Sequence, residues 1–111
     1  MRNELKELVS RTVDLLVRGD YVELERMTSG RRLTASEIEQ AVREYGRRLI
    51  MPPDGQLCLD TIQVRGQVPP TWSVRCDLWT EEEGRSDLSL ELTVIDQPGD
   101  ALIEVDNLHV L

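Results

Sequence analysis

The stretch CDLWTEEEGRSDLSLEL, residues 76–92, decides the fold because it predicts a β-hairpin. Apolar and polar residues alternate on both sides of the EEEG segment, as expected for two half-buried antiparallel strands. Strands that share a buried face must align their apolar residues, which predicts the cross-strand pairs Cys76–Leu90 and Leu78–Leu88. Hydrophobicity alone therefore sets the predicted register of this hairpin.

The same register predicts how the turn and the outer face are built. Residues 82–84 become a three-residue loop, and Gly84 occupies the position where such loops favour a left-handed residue. Two of the pairs predicted outside the core join opposite charges. These outer pairs are Arg75–Glu91, Asp77–Ser89 and Glu81–Arg85.

The three consecutive glutamates, residues 81–83, raise the question of a catalytic or metal-binding carboxylate cluster. An exposed turn does nothing to desolvate a carboxylate, whereas proton-transfer catalysis usually requires a shifted pKa in a cleft. A calcium loop would need more oxygen ligands at an ordered spacing. We therefore expect no catalytic residue, no metal and no cofactor at this turn.

Helical periodicity fills the first half of the chain. A first helix is predicted at about residues 3–18, and Asp20 is placed to cap a short second helix. Thr34 and Glu37 have the spacing of a capping box, which predicts the start of a third helix. The helical half ends before the prolines at 52–53.

After these prolines the periodicity changes from helix to strand. A poorly patterned strand, of the kind found at sheet edges, is followed by three better strands. In the last strand the alternation changes phase near Asp106 and Asn107, which predicts a β-bulge. The predicted strands are residues 57–64, Thr71–Trp79, Leu88–Asp96 and about Ala101–Leu111.

The fold class that follows is α+β, with three N-terminal helices packed on a curved antiparallel sheet of about four strands. The chain has 111 residues, which suits one domain and is too short for two. We expect a single domain over residues 1–111, with a helical half at 3–51 and a sheet half at 57–111.

The charge is distributed unevenly along the chain. The net charge is -8, and residues 1–48 are nearly balanced, with 10 Arg and Lys against 9 Asp and Glu. Residues 49–111 have 3 Arg against 12 Asp and Glu, a balance of -9. This acidity argues against a nucleic-acid ligand. It is compatible with a basic protein partner, or simply with a solvated acidic surface.

Location and cysteine chemistry are predicted from absences in the sequence. No apolar run approaches the roughly 20 residues needed to cross a membrane, and the charged N-terminus is unlike a signal peptide. We expect a cytoplasmic, non-membrane protein with Cys58 and Cys76 as reduced, buried thiols, a disulfide between them being the alternative. Neither these cysteines nor His109, the one histidine, has the spacing typical of a zinc site.

Trp79 is the strongest candidate for an interaction site. The alternation places it on the outer face of the sheet with Arg75 and Glu91, and Ile95 and Leu102 fall on the same face. Exposed apolar side chains rimmed by charge are typical of a protein interface. The alternative is that a loop or the N-terminal helix covers these residues.

Two parts of the chain resemble known families. The segment LVSRTVDLLVRGDYVELERMT, residues 8–28, is similar to the first two helices of many NTF2-like domains. The block PPTWSVRCDLWTEEEGRSDLSLELTVID, residues 69–96, with the ending VDNLHVL, resembles a family of small bacterial proteins without a known activity. The resemblance implies an NTF2-like or cystatin-like fold. NTF2-like enzymes usually place Asp, His or Tyr in a deep cone, whereas the inward positions here are Trp, Val, Cys and Leu.

We expect a non-enzymatic interaction module that binds a second copy, as a homodimer, or another protein through the outer sheet face. One variant is an acidic, immunity-type inhibitor of a basic protein. The rival is an NTF2-like pocket for a small apolar ligand between helix 3 and the sheet, lined by Tyr45, Trp72 and Cys76. An enzyme ranks third.

Overall fold

The computed structural model describes residues 1–110 and shows an α+β chain. Three helices precede an antiparallel sheet of five strands, which does not close into a barrel. The last predicted strand included Leu111, which lies outside the described residues. The helices are α1 (Asn3–Arg18), α2 (Tyr21–Thr28) and α3 (Ala35–Tyr45), and the strands are β1 (Leu49–Ile50), β2 (Leu59–Gln63), β3 (Thr71–Thr80), β4 (Gly84–Ile95) and β5 (Leu102–Val110).

Helices α2 and α3 begin at their predicted caps. Asp20 accepts a hydrogen bond from the Glu23 N–H at 3.3 Å, which caps α2. Thr34 and Glu37 form the reciprocal capping box of α3, with each side chain bonded to the other residue's backbone N–H. Within residues 1–110 none of the helices has the length and apolar character required to cross a lipid bilayer.

The sheet has five strands where about four were predicted. The additional strand is β1, whose Leu49 and Ile50 pair with the end of β3. The helical half predicted for residues 3–51 included both of these residues. That prediction is wrong because α3 ends at Tyr45, and the following Gly46 adopts a left-handed conformation with φ of 73°.

Strand β3 is the centre of the sheet. It pairs with β4 on one side, and β4 pairs in turn with β5. On its other side β3 pairs with two short strands in succession, β1 near the hairpin turn and β2 farther along. Strands β2 and β5 therefore form the two long edges.

The hairpin register is confirmed in its middle and wrong near its turn. Cys76 pairs with Leu90 as predicted, and so do the neighbouring pairs on either side. Beyond Asp77 the register shifts, so that the predicted Leu78–Leu88 and Glu81–Arg85 pairs do not form. Trp79 pairs with Arg85 and Thr80 with Gly84 instead.

Ser86 explains the shift in register. Its hydroxyl donates to the Leu78 carbonyl at 2.8 Å and accepts from the Leu88 N–H at 3.2 Å. A side chain thus replaces ladder bonds, and residues 86–88 lie opposite the single residue Leu78. Gly84 has the predicted left-handed conformation, with φ of 76°, but it begins β4, so the loop consists of residues 81–83.

The predicted bulge in the last strand is confirmed. Glu91 pairs with Asn107 and Leu92 with Val105, which leaves Asp106 without a partner in the ladder. The Thr93 hydroxyl donates to Asp106 at 2.6 Å. The bulge allows the apolar residues before and after it to face the core.

One apolar core joins the three helices to the inner face of the sheet. Its members alternate along β3, β4 and β5 and recur at helical spacing in α1. Side chains on the opposite, outer face are mostly polar or charged. The core consists of Leu5, Val9, Val13, Leu15, Leu16, Leu24, Ile38, Leu49, Val74, Cys76, Leu78, Leu88, Leu90, Leu92, Val94, Ile103, Val105 and Leu108.

Candidate functional site on the outer sheet face

The middle of the outer face is charged, and its charges are paired within the chain. Register places Asp60, Arg75 and Glu91 side by side across β2, β3 and β4. An Arg75 guanidinium nitrogen lies 3.3 Å from an Asp60 carboxylate oxygen. His109 on β5 lies 3.1 Å from Glu91. Partly exposed pairs of this kind contribute about 0–1 kcal/mol each, so they add little to stability. With His109 counted as neutral, Arg75 offsets one of the two carboxylates and the group keeps one negative charge.

A second charged pair lies nearer the hairpin turn. The Arg85 guanidinium donates to Asp77 at 2.6 and 3.0 Å. This hydrogen bond raises the pKa of Arg85, with a further contribution from the nearby Cys58 thiol. Arg85 therefore stays charged and bound to Asp77.

An apolar row crosses the other end of the outer face. The Val64 N–H donates to the Thr71 carbonyl at 2.8 Å, which extends the β2–β3 ladder by one residue. Thr71 pairs with Ile95, and Ile95 pairs with Leu102. With strands about 4.8 Å apart, this row spans about 14 Å.

Ile62 adds to this row, because it lies two residues before Val64 on the same face. Its exposed fraction is 64%, that of Val64 is 38%, and the other two members of the row are half-buried. We call Ile62, Val64, Ile95 and Leu102 the apolar strip. The sequence indicated Ile95 and Leu102 as outer-face residues. Ile62 and Val64 were not predicted there, although Asp60, Ile62 and Val64 occupy every second position in the chain.

Trp79 is not part of this strip. It lies eight residues from Thr71 along β3, or about 26 Å. Its ring lies over the turn, where a Cβ added at Gly84 would be 3.7 Å from the ring. It also lines a groove of about 440 Å³ with residues 53–58 and Arg85.

The proposed interface residues therefore do not form one patch. Trp79 is at one end of the outer face, and Ile95 and Leu102 are at the other. Arg75 and Glu91 lie between them, and both are paired. A contact surface containing all five would have to cover this charged centre.

The three candidate pocket residues also lie apart. Cys76 has no exposed surface, and burial raises the pKa of its thiol to about 12. Trp72 lies near the start of β3, whereas Tyr45 contacts the turn beyond the end of β3. A groove of about 550 Å³ lies elsewhere, between α1, α3 and β1.

The glutamates of the turn form hydrogen bonds with the end of α3 and with the segment between α3 and β1. Glu83 accepts a hydrogen bond from the Tyr45 hydroxyl at 2.7 Å, and Glu82 accepts one from the Arg48 N–H at 3.0 Å. The pKa of Tyr45 is raised, first by burial and then by this bond to Glu83. The Glu81 N–H donates to the Arg48 carbonyl at 2.9 Å. These contacts give the EEE segment a structural role.

Ser89 and His109 face each other across β4 and β5. Ser89 is fully buried, and within residues 1–110 its hydroxyl has no hydrogen-bond partner. His109 contacts Glu91 instead. The pair thus lacks the serine–histidine hydrogen bond that activates a nucleophile. No group of three or more His, Cys, Asp or Glu in this part of the chain is arranged to hold a metal ion.

Comparison with known proteins gives a family and no close neighbour. No curated protein and no solved structure matches the chain. The family model described as a domain of unknown function, DUF7668, matches residues 13–111. The match begins within α1 and includes the other two helices, all five strands and the whole apolar strip. The chain therefore belongs to the DUF7668 family.

Proposed function

We propose that this chain is a non-enzymatic protein-interaction module that self-associates through the β2 side of its outer sheet face. A homodimer is the simplest product. The observation that carries the proposal is the position of its exposed apolar side chains. Of the five large apolar side chains that are strongly exposed within residues 1–110, Ile62, Val64 and Val68 belong to β2 and the loop after it.

The exposed apolar side chains of β2 and the loop after it are unfavourable in water. Burial of apolar surface stabilises a complex by about 25 cal/mol per Å² before the costs of association. Val68 has an exposed fraction of 94% and Ile62 one of 64%, so both side chains are accessible to a partner. Contiguous exposed apolar surface of this kind is typical of interaction sites.

A second copy fits this surface because the neighbouring charges are already paired. Arg75 offsets the charge of Asp60, and with His109 counted as neutral the region beside the strip keeps the one negative charge of Glu91. The net charge of -8 belongs to the whole molecule. At physiological ionic strength, charges farther than about 8 Å from the contact are largely screened.

The acidic-inhibitor alternative has less support. It rests on the balance of -9 in residues 49–111. The most acidic segment, residues 81–83, is bonded to Tyr45 and Arg48 of the same chain. Those carboxylates are therefore less free to receive the cations of a basic partner.

The likeness to NTF2-like and cystatin-like folds also belongs to this proposal. Its support is an order of three helices before a bulged antiparallel sheet. The pocket that this likeness suggests, lined by Tyr45, Trp72 and Cys76, has less support because Cys76 is fully buried. A small apolar ligand is therefore the second choice.

A paired substitution tests the proposal. We expect Ile62→Glu combined with Val64→Glu to make the protein monomeric, because each dimer would have to bury four added carboxylates. Molar mass from light scattering across a concentration series is the measurement. Val22→Glu is the control, since Val22 is 78% exposed but lies on α2. A dimer that survives the double substitution would refute the role of the strip.

A further inference from the structure

The backbone of β2 shows which of its groups are free to bond. The Val64 N–H bonds to the Thr71 carbonyl, so odd-numbered residues of β3 share hydrogen bonds with β2. The Asp96 N–H bonds to the Pro70 carbonyl, so even-numbered residues of β3 share theirs with β4. The N–H and C=O groups of Leu59, Thr61 and Gln63 therefore point away from β3, along the open edge.

This edge has fewer of the usual protections against pairing than β5. Natural edges carry charges, prolines or bulges, or are covered by other elements. The other edge, β5, has three of these protections. They are the charged Glu104, the bulge at Asp106, and the packing of α2 and α3 against the strand. Strand β2 has no bulge and no proline, and its one charged residue, Asp60, is paired with Arg75.

The open edge is also complementary to itself. Antiparallel pairing about a two-fold axis at Thr61 aligns Leu59 of one copy with Gln63 of the other and Thr61 with its own equivalent. All the outward N–H and C=O groups of the strand then find partners, in about six hydrogen bonds. On the outer face Asp60 lies opposite Ile62 of the second copy, which keeps the two Asp60 carboxylates apart.

We infer that the partner of β2 is the β2 strand of a second copy, paired antiparallel about Thr61, so that one sheet runs through both molecules. The inference rests on the proposed self-association and specifies its geometry. The exposed apolar side chains Ile62 and Val64 then lie beside the two-fold axis. Substituting them with Glu would place new carboxylates beside Asp60 of the second copy.

Disulfide trapping tests the axis directly. Thr61 and its equivalent would have Cα atoms about 5.5 Å apart, within the range of a disulfide. In a Cys58→Ser background, which removes the exposed thiol, we expect Thr61→Cys to form a covalent dimer under mild oxidation. Val68→Cys is the control because Val68 is more exposed but lies off the axis. Cross-linking at Thr61 no faster than at Val68 would overturn the inference.

A proline substitution tests the hydrogen bonds without disturbing the monomer. The Thr61 N–H points to the open edge, so Thr61→Pro removes a donor that β3 does not use. We expect the dissociation constant of the dimer to rise about tenfold or more, because both copies lose a hydrogen bond at the axis. Thr61→Ala keeps the N–H and should leave dimerisation nearly unchanged. Equal effects of Pro and Ala would contradict edge pairing.

The outcomes separate the inference from the function it rests on. A dimer that is indifferent to Thr61→Pro and does not cross-link at Thr61 overturns edge pairing and leaves self-association standing. A protein that is monomeric at every concentration overturns both. Cross-linking at Thr61 together with a dimer that tolerates Glu at 62 and 64 supports edge pairing and overturns the role of the strip.

Discussion

At the scale of single residues, the two cysteines differ because one is exposed and the other lies in the core. Cys58 is exposed, whereas Cys76 has no exposed surface. Burial raises the pKa of the Cys76 thiol to about 12, and the thiolate is the reactive form. The sequence predicted two reduced, buried thiols with a disulfide as the alternative. Both thiols are free in the structure, and the predicted burial is confirmed for Cys76 and wrong for Cys58.

This difference predicts selective alkylation. Iodoacetamide at mildly alkaline pH should label the native protein once, at Cys58, and the unfolded protein twice. Intact mass measurement followed by peptide mapping gives the number and the site of labels. Rapid labelling of Cys76 in the native state would show that the core opens readily at β3.

Another residue-scale prediction concerns acid stability. Arg2 donates a hydrogen bond to Asp96 at 3.0 Å, and this bond lowers the pKa of Asp96 below its ordinary value of 3.8. A lowered folded-state pKa stabilises the fold above the unfolded pKa, and the stabilisation is lost as pH falls through the folded value. Arg2→Ala should therefore destabilise the protein at neutral pH and lose its effect at lower pH.

Urea unfolding at neutral pH and at several values below pH 3.8 measures this dependence. Arg65→Ala provides the control, since Arg65 is exposed in the loop after β2. A destabilisation by Arg2→Ala that is the same at all pH values would mean that the ion pair is not its cause.

At the scale of the elements, the hairpin shows where sequence patterns succeed and fail. Its middle was predictable because apolar residues must share the core face, as Cys76 and Leu90 do. Near the turn the Ser86 hydroxyl replaces backbone bonds, and no periodicity reveals that substitution. The bulge at Asp106 was predictable because it changes the phase of the apolar residues.

The same limit applies to the candidate site. The predicted register already placed Ile95 opposite Thr71, eight residues from Trp79, but the candidate interface grouped these residues by face alone. The pairing of β2 with β3 was not predicted, because β2 alternates poorly. The outer-face positions of Ile62 and Val64 were therefore not recognised. Pairing partners between strands far apart in sequence depend on the whole sheet, so one hairpin could not supply them.

The bulge at Ser86 makes an element-scale prediction. Ser86→Ala should destabilise the protein by about 1–3 kcal/mol, because it leaves a buried carbonyl and a buried N–H without partners. Ser73→Ala on the same sheet is the control, as Ser73 is exposed and should be nearly neutral. Denaturant unfolding compares the two. Equal stability of both variants would mean that the backbone at residues 86–88 bonds without the hydroxyl.

At the scale of the whole molecule, the two sheet edges differ in protection. Helices and a bulge protect β5, while β2 is open and carries the exposed Ile62. The association proposed there would depend on apolar burial and backbone bonds. Its affinity should therefore rise slightly or stay constant with added salt, whereas capture of a basic partner by the acidic surface would weaken steeply.

The central claim is that this chain self-associates through the β2 side of its sheet, and its mass in solution tests that claim most directly. Sedimentation equilibrium of the wild-type protein should give twice the 12.7 kDa chain mass at high concentration, approaching the chain mass on dilution. A mass of 12.7 kDa at every concentration would contradict the account.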